Sequence, residues 1–457
     1  MKENNSPWLA QLSRTRPEIS LREHITSDVL IVGGGIAGIS TLYYTLTKTN
    51  RSVVLLEARR IAHGATGHNA GYVVSEFEKP YKEIVAEYGK ELADAGVASI
   101  EGAWALLDEL AAVAGTDLPR ETLVSWGGYR HFEQFLNKLE DTYASLGPKG
   151  FLDKVLVSDE SLWLEALPEH LAALCSTVPT SVISRALETR ETIYHGAIPS
   201  KTVVTNSAML TERVLEHCLR TYPKRVRVYE HSPVHGIELN ATSGMAYCGE
   251  YTIVFNEIVL ATNGFEDFYI KNNAGEPIDS AFHHQVHGVV GYMTGYLTNH
   301  PPHSAAMYFY RSSSTFKDPY SAEPYFYMTR RDFKTDSHQK LISIGGPEVH
   351  LEYREKYYRD YDVAREIYDS IDIFLQAKEG VGHWQQQFRW HGLMGYTESG
   401  LRLVGREPEN PLLLYNLGCN GIGILTSIYG GRTIARHLSG ETVPPSIFDP
   451  KRRQQDL

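Results

Sequence analysis

The chain has 457 residues, 42% hydrophobic and 22% charged, an ordinary globular composition with room for two domains or one large interleaved unit. Lys and Arg number 44 against 55 Asp and Glu, a net charge of −11, which argues against broad nucleic-acid binding. No run of 18 apolar residues and no apolar stretch near the start are present, so neither a membrane span nor a signal peptide is expected. Cys175, Cys218, Cys248 and Cys419 are scattered without C-x-x-C or metal-ligand spacing, so reduced thiols, no metal and a cytoplasmic location are expected.

Residues 1–25 read as a polar arm ahead of the first strand, with Pro7, Trp8 and Pro17 placed to lie against the body. Residues 29–32 are a short apolar run of the kind buried in a parallel sheet. Gly33, Gly35 and Gly38 follow in G-x-G-x-x-G order, then a helical stretch over 36–48 and a second apolar run over 52–56 that ends on Glu57. The first glycine makes the strand-to-helix turn, the second lets backbone approach a pyrophosphate, and the third lets the helix pack on the strand. Gly33, Gly35, Ile36, Ala37 and Gly38 are therefore expected at a pyrophosphate, which favours the positive end of the helix. Glu57 stands 19 residues after Gly38, where a carboxylate accepts from an adenosine ribose. NAD and FAD satisfy this stretch equally. The loop that follows, Gly64, Ala65, Thr66, Gly67, His68, Asn69, Ala70 and Gly71, is small enough to bring backbone N–H groups to a ligand.

Residues 81–115 carry apolar positions at helical spacing and predict one or two amphipathic helices. Residues 121–133 predict a strand with a Gly-Gly turn, and strands recur near 186–198. A helix is predicted over 203–222, then a strand pair around Pro233. Residues 251–264 predict a strand, a turn, and a second buried strand over 257–261 that ends in Thr262, Asn263 and Gly264. The alternating, aromatic stretches 283–297 and 324–346 predict antiparallel strands, and 352–378 a long charged helix. Residues 384–438 read as a return to the nucleotide unit. Gly418, Asn420, Gly421, Ile422 and Gly423 precede a last helix over 424–438, stopped at Ser439-Gly440.

In this order the chain resembles the flavoprotein amine oxidoreductases of the D-amino-acid oxidase superfamily, the group that holds glycine, sarcosine and γ-glutamylputrescine oxidases. Four stretches carry the resemblance: 28–57, 258–264, the loop GATGHNAG (64–71), which resembles the family's GASGRNAG, and 390–440. Within the last, WHGLMGYTESGLRLVGRE resembles the family element W-x-G-x-x-x-x-T-x-D-x-x-P-x-I-G, with Ser399 in place of the aspartate and Arg402 in place of the proline. The resemblance implies an α/β (α+β) fold: a Rossmann-like FAD-binding domain with a discontinuous substrate domain on a mixed or antiparallel sheet. The boundaries expected are 26–80, 196–270 and 380–445 for the FAD domain, and 81–195 and 271–379 for the substrate domain. FAD is the implied cofactor. Glu57, Ala58 and Arg59 would hold the adenosine and the Val234 backbone the adenine. The 64–71 loop would run under the flavin, with Thr262, Asn263, Gly264 and Gly395 nearby. The 418–423 loop would sit at the flavin N1/C2=O edge. His68 replaces the family's arginine. In the dimethylglycine and sarcosine dehydrogenases a histidine in this loop carries the flavin covalently, so covalent attachment, noncovalent contact and no role for His68 are all open, with His63 a weaker candidate in the same loop.

The implied reaction is oxidation of a C–N bond. Hydride passes from the α-carbon of a neutral amine or amino acid to flavin N5, and the imine hydrolyses. The flavin is then reoxidised by O2, giving H2O2, or by a quinone or electron-transfer protein. No general base is demanded. Tyr325, Tyr327 and Arg330 are the expected substrate-positioning residues, with Arg331 a lesser choice. Alternation puts Tyr325, Tyr327 and Thr329 on one face and Phe326, Met328 and Arg330 on the other. An arginine here resembles the carboxylate clamp of glycine oxidase-like members. His283, His284 and His287 read as polar sheet residues rather than a metal site. His391 and Tyr396 flank the flavin-side element, and Cys419 sits in the last loop. A chain that keeps FAD for assembly rather than catalysis is the non-enzymatic alternative. No partner beyond substrate and electron acceptor is implied.

Overall fold

The computed structural model describes residues 4–265, 268–278, 286–301, 305–309, 325–334, 338–352, 357–358, 365–378 and 380–450. His283 and His284 lie outside the described residues. Strand Ile25–Val32 is central because it has no side to give to water: Val29, Leu30 and Ile31 are fully buried on both faces. Val53–Leu56 and Tyr251–Leu260 flank it in parallel, with Val226–Tyr229 and Leu413–Leu417 outside them. Helices Ile36–Lys48, Ser207–Thr221, Lys90–Ala114 and Ile424–Leu438 pack together beside this sheet and share one core with Val29, Ile31, Val53 and Leu55. The other face of the sheet, Leu30, Val32, Val54 and Leu56, joins a second core with Ile237, Leu239, Ala246 and Phe255. Strands Gly236–Leu239 and Gly244–Cys248, antiparallel to each other, reach this sheet through the first half of Tyr251–Leu260.

Among the described residues, nine strands form this sheet and ten form a second. The second is mostly antiparallel and is built around Arg120–Tyr129, Gly196–Thr205, Val286–Thr298, Tyr325–Asp332, Lys340–His350 and Gln385–Thr397. The fold class expected from the sequence is the one observed. Two strands in stretches assigned above to the nucleotide unit, Gly196–Thr205 and Gln385–Thr397, run in the second sheet. Among the described residues no helix is long and apolar enough to cross a membrane.

Local expectations hold where the pattern is long and fail where packing decides. Helices Ile36–Lys48 and Ile424–Leu438 have the expected limits, and 81–115 forms two helices, Tyr81–Tyr88 and Lys90–Ala114. The expected Gly-Gly turn is absent: strand Arg120–Tyr129 runs straight through Gly127 and Gly128. A Cβ on Gly128 would stand 2.6 Å from Leu187, so the glycine makes packing space rather than a bend. The two strands expected over 251–261 are one, Tyr251–Leu260. Its polar pair Asn256-Glu257 marks an ion pair, not a turn: Glu257 binds Arg51 and, at 2.6 Å, Arg406. The strands on either side of Pro233 do not pair with each other. Val226–Tyr229 extends the parallel sheet, while Gly236–Leu239 joins the antiparallel strands. Of the strand-rich stretch expected near 186–198 only the last three residues are strand, as the start of Gly196–Thr205, and helix Ser207–Thr221 begins later than expected because Asn206 caps it, accepting from Met209 N. The long helix expected over 352–378 is Arg365–Gln376 within the described residues.

Candidate functional site

The glycine turn sits at the carboxyl end of the central strand. Gly33 has φ +109°, and a Cβ there would lie 2.5 Å from the Ala261 carbonyl oxygen. A Cβ on Gly38 would lie 1.9 Å from the Gly33 carbonyl oxygen, so the helix can approach the strand only with hydrogen at that position. The helix starts at Gly35 with no side-chain cap. Its first-turn amide at Ile36 donates to Thr66 Oγ1 at 2.9 Å, which ties the 64–71 loop to the helix start. Glu57 accepts from Gly34 N at 2.7 Å and Arg59 N at 2.8 Å, so its carboxylate is held in place beside the turn.

The 64–71 loop is bound from three sides. Asn69 donates to Thr66 O at 3.0 Å and to Ser207 Oγ at 2.9 Å, and accepts from Gly71 N at 2.7 Å. The Asn69 carbonyl accepts from the indoles of both Trp8 and Trp390, so the N-terminal arm grips the loop directly. His68 is 8% exposed and its Nδ1 lies 3.0 Å from Gly64 O. His63 turns its ring toward Ile61 O and Arg14.

A second helix, Ile424–Leu438, starts at Gly423 without a side-chain cap. The loop before it is tied to the rest of the wall by Cys419 N to Asn263 Oδ1 (2.9 Å), Asn420 N to Gly395 O (2.9 Å) and Thr397 N to Asn420 Oδ1 (2.8 Å). Both unexpected residues of the 390–407 element act locally. Ser399 Oγ accepts from Leu401 N, and the buried Arg402 donates to Asn416 Oδ1 at 2.8 Å and Asn416 O at 2.9 Å. Arg402 Nη1 also points at Gly418 O, so the guanidinium holds the strand and loop that lead into the last helix.

These pieces line one cavity of about 910 Å³. Gly33, Gly35, Ile36, Ala37, Glu57, Ala58, Arg59 and Val234 line it, as do Gly64, Ala65, Thr66, His68, Asn69 and Ala70. Thr262, Asn263, Gly421, Ile422, Gly423, Tyr325 and Tyr327 complete the set that the sequence pointed to. Gly38, Gly67, Gly71, Gly264, Gly395, Gly418 and Asn420 stand behind that lining as backbone supports. Arg330 is not brought to the cavity. It belongs to the opposite face of its strand and pairs with Glu121 at 3.2 Å. Arg331 is fully buried, 4.7 Å over the Trp8 ring. His287 stacks between Tyr396 and His350, and His391 meets Tyr357 Oη at 2.8 Å. The lining also holds residues that the sequence did not single out: Glu76, Glu78, Lys138, Met293, Glu348 and Tyr357. Glu76 and Glu78 follow the 64–71 loop closely enough to have been suspected. Glu348 carries no such signal, because only strand pairing brings it opposite Gly291.

The model of the FAD dependent oxidoreductase (DAO) family matches residues 28–437. The chain belongs to this family. Among curated relatives, the oxidoreductase is 36% identical over 92 residues to γ-glutamylputrescine oxidoreductase of Escherichia coli (strain K12), a match that spans 20% of this chain and 21% of that protein. In fold it resembles glycine oxidase from Geobacillus kaustophilus, with a TM-score of 0.65 at 15% identity over 93% of this chain and 98% of that one. L-proline dehydrogenase from P. horikoshii is similar to the same degree, with a TM-score of 0.65 at 13% identity over 96% and 99%. The residues present fit the family's cofactor. Two helix starts whose N-cap residues, Gly35 and Gly423, bring no capping side chain of their own open on one cavity, with an oriented carboxylate beside the first.

Proposed function

We propose that this oxidoreductase removes two electrons from the C–N bond of an amine or amino acid. The observation that carries the reading is the single cavity. It holds the glycine turn and Glu57, a small-residue loop, an uncapped helix start at Gly423 and a tyrosine wall. When bound, FAD supplies at N5 the acceptor for the hydride that leaves the substrate's α-carbon. The helix start at Gly423 favours negative charge at the edge it faces. Arg402 keeps that helix start and its loop in position through Asn416 and Gly418. Burial raises the Tyr327 phenol, and Glu348 and Glu78 raise it further, so its hydroxyl keeps its proton and can only donate or accept a hydrogen bond. It is therefore a positioning group and not a base. The imine product is hydrolysed by water.

The cofactor half belongs to 26–80, 196–270 and 380–445 in this reading and the substrate half to 81–195 and 271–379, with strands Gly196–Thr205 and Gln385–Thr397 contributing to the second sheet. O2 is the proposed final acceptor. An anaerobic screen of amines and amino acids, read by the flavin absorbance, tests the proposal: one of them bleaches the band, and admitting air restores it. Bleaching that only a quinone or an electron-transfer protein reverses makes the protein a dehydrogenase. A flavin that no amine bleaches removes catalysis from the reading and leaves a cofactor-retaining assembly protein. His68, with Nδ1 engaged at Gly64 O, is proposed to contact the flavin without a covalent link. Acid precipitation then releases all yellow colour to the supernatant, and colour left in the pellet, lost again in His68→Ala, reverses that assignment.

A further inference from the structure

Past the 64–71 loop the cavity continues as a polar corridor. Tyr72, the residue after Gly71, sets its hydroxyl 2.5 Å from Ser125 Oγ. Ser125, Gly127 and Tyr129 alternate along one face of their strand, and the register places Ser200 and Ile198 opposite Ser125 and Gly127. All of them line the cavity. The facing wall is helix Phe132–Leu146. Its Lys138, Asp141, Thr142 and Ser145 stand at i, i+3, i+4 and i+7, so they share one side of the helix, and they line the same cavity. Lys149 and Lys201, both exposed, line its outer end.

An ion pair joins the two walls. Glu76, just after strand Tyr72–Val73, binds Lys138 of the helix at 2.6 Å, and each side chain keeps 34% of its surface open. Burial works against the Lys138 charge, but Glu76, and then Tyr129, hold its pKa above the ordinary value, so the pair stays ionised. Asp141 is turned to the start of helix Tyr81–Tyr88, where the Tyr81 amide binds it at 2.6 Å. Lys138 has two N–H groups beyond the one given to Glu76, and a carboxylate accepts more than one bond. A lone carboxylate brought to the pair would meet Glu76, and a lone ammonium would meet Lys138. An apolar end would strip water from the pair without replacing it. A neutral group with an acceptor and a donor side by side answers both halves.

We infer that the substrate is a long amine whose far end is a neutral carboxamide-like group, bound by the Lys138–Glu76 pair while the reacting nitrogen lies past Tyr72 at the cofactor end of the cavity. This rests on the amine oxidation proposed above. Lys138 donates to the carbonyl oxygen of that group and Glu76 accepts from its N–H, so the two residues determine specificity and take no part in the hydride step.

Amines that share one hexyl chain and differ only at the far end test this: 6-aminohexanamide, 6-aminohexanoate, 1,6-diaminohexane and hexylamine. Each is titrated without air into the FAD-loaded enzyme and read by the flavin absorbance, as a saturable shift or as bleaching. The amide should half-saturate the signal at a concentration roughly tenfold or more below the other three. Lys138→Met should move the preference to 1,6-diaminohexane, whose second ammonium then meets Glu76 alone. Glu76→Gln should move it to 6-aminohexanoate, which then meets Lys138 alone. Opposite shifts of this kind do not come from a fold that is merely weakened, and the wild-type comparison needs no variant at all. Equal binding of the amide and hexylamine, tighter binding of either charged end by wild type, or binding of none of the four overturns the inference, as do loaded variants without the opposite shifts. The two readings fail separately. The expected order of binding in a protein that no amine bleaches sinks the oxidation, whereas bleaching by other amines, with the four probes unordered, sinks the corridor and leaves the oxidation standing.

Discussion

Gly38 and Arg402 show how single side chains hold the cofactor end together. With the Gly33 carbonyl oxygen 1.9 Å from where a Cβ would be, Gly38→Ala must push the helix off the strand. Overpacking of this kind costs about 1–3 kcal/mol, roughly tenfold in FAD affinity, and the flavin-to-protein ratio of the purified variant should fall accordingly. Arg402→Leu removes the donor shared by Asn416 Oδ1 and Asn416 O, leaving buried acceptors without it. The expected loss is about 2 kcal/mol of unfolding free energy, read as a lower denaturant midpoint, with faster flavin release. Gly38 was legible in the sequence because its spacing from Gly33 has one physical reading. Arg402 could be seen only as a departure from a pattern, since its partner Asn416 lies 14 residues away on strand Leu413–Leu417.

Among the elements, the N-terminal arm was the least legible and is one of the most deeply anchored. Helix Pro7–Ala10 is only four residues long, too short for periodicity to declare it. Its Trp8 is nonetheless fully buried, edge-on to Trp390 at 6.1 Å, under the Arg331 guanidinium and bonded to the Asn69 carbonyl. Further along, Arg16 binds the buried Glu212 and Glu230. Trp8→Ala should destabilise the fold by about 3–5 kcal/mol in equilibrium unfolding. It should also raise the fluorescence of bound flavin as the 64–71 loop loosens, whereas Trp8→Phe should recover much of the stability without the bond to Asn69. The two helices that start at Gly35 and Gly423 were legible for the opposite reason, since each has a long apolar face and a glycine-rich approach.

For the molecule as a whole, strand Val286–Thr298 of the second sheet carries a histidine that ties stability to pH. Burial, and then His350, keep His287 below its ordinary pKa of 6.5 in the folded state. The unfolded chain therefore takes up this proton first as the pH falls. The contribution of this group to stability is complete above about 6.5 and is lost progressively below it, because the folded protein resists the charge. The Tm should drop between about pH 7 and pH 5.5, and His287→Gln should flatten that drop. A variant whose Tm falls as steeply as wild type would show that His287 is not responsible. Asp28, held low by hydrogen bonds from Ser52, adds a separate loss in the carboxylate range.

By itself the sequence determined the nucleotide half of this protein: the strand, the Gly33–Gly38 turn, Glu57, the 64–71 loop and the last helix are all local patterns, each with a physical reason for its spacing. Tertiary structure alone decided what the second sheet brings to the cavity. Arg330, chosen from strand alternation and resemblance, was drawn away by Glu121, a residue some two hundred positions earlier in the chain. Glu348, Tyr325 and Tyr327 became neighbours of one cavity through strand pairing across the second sheet. Local spacing can specify a backbone turn, because the turn is made by consecutive residues. It cannot specify which charge faces a substrate, because that is settled by pairing between strands far apart in the chain.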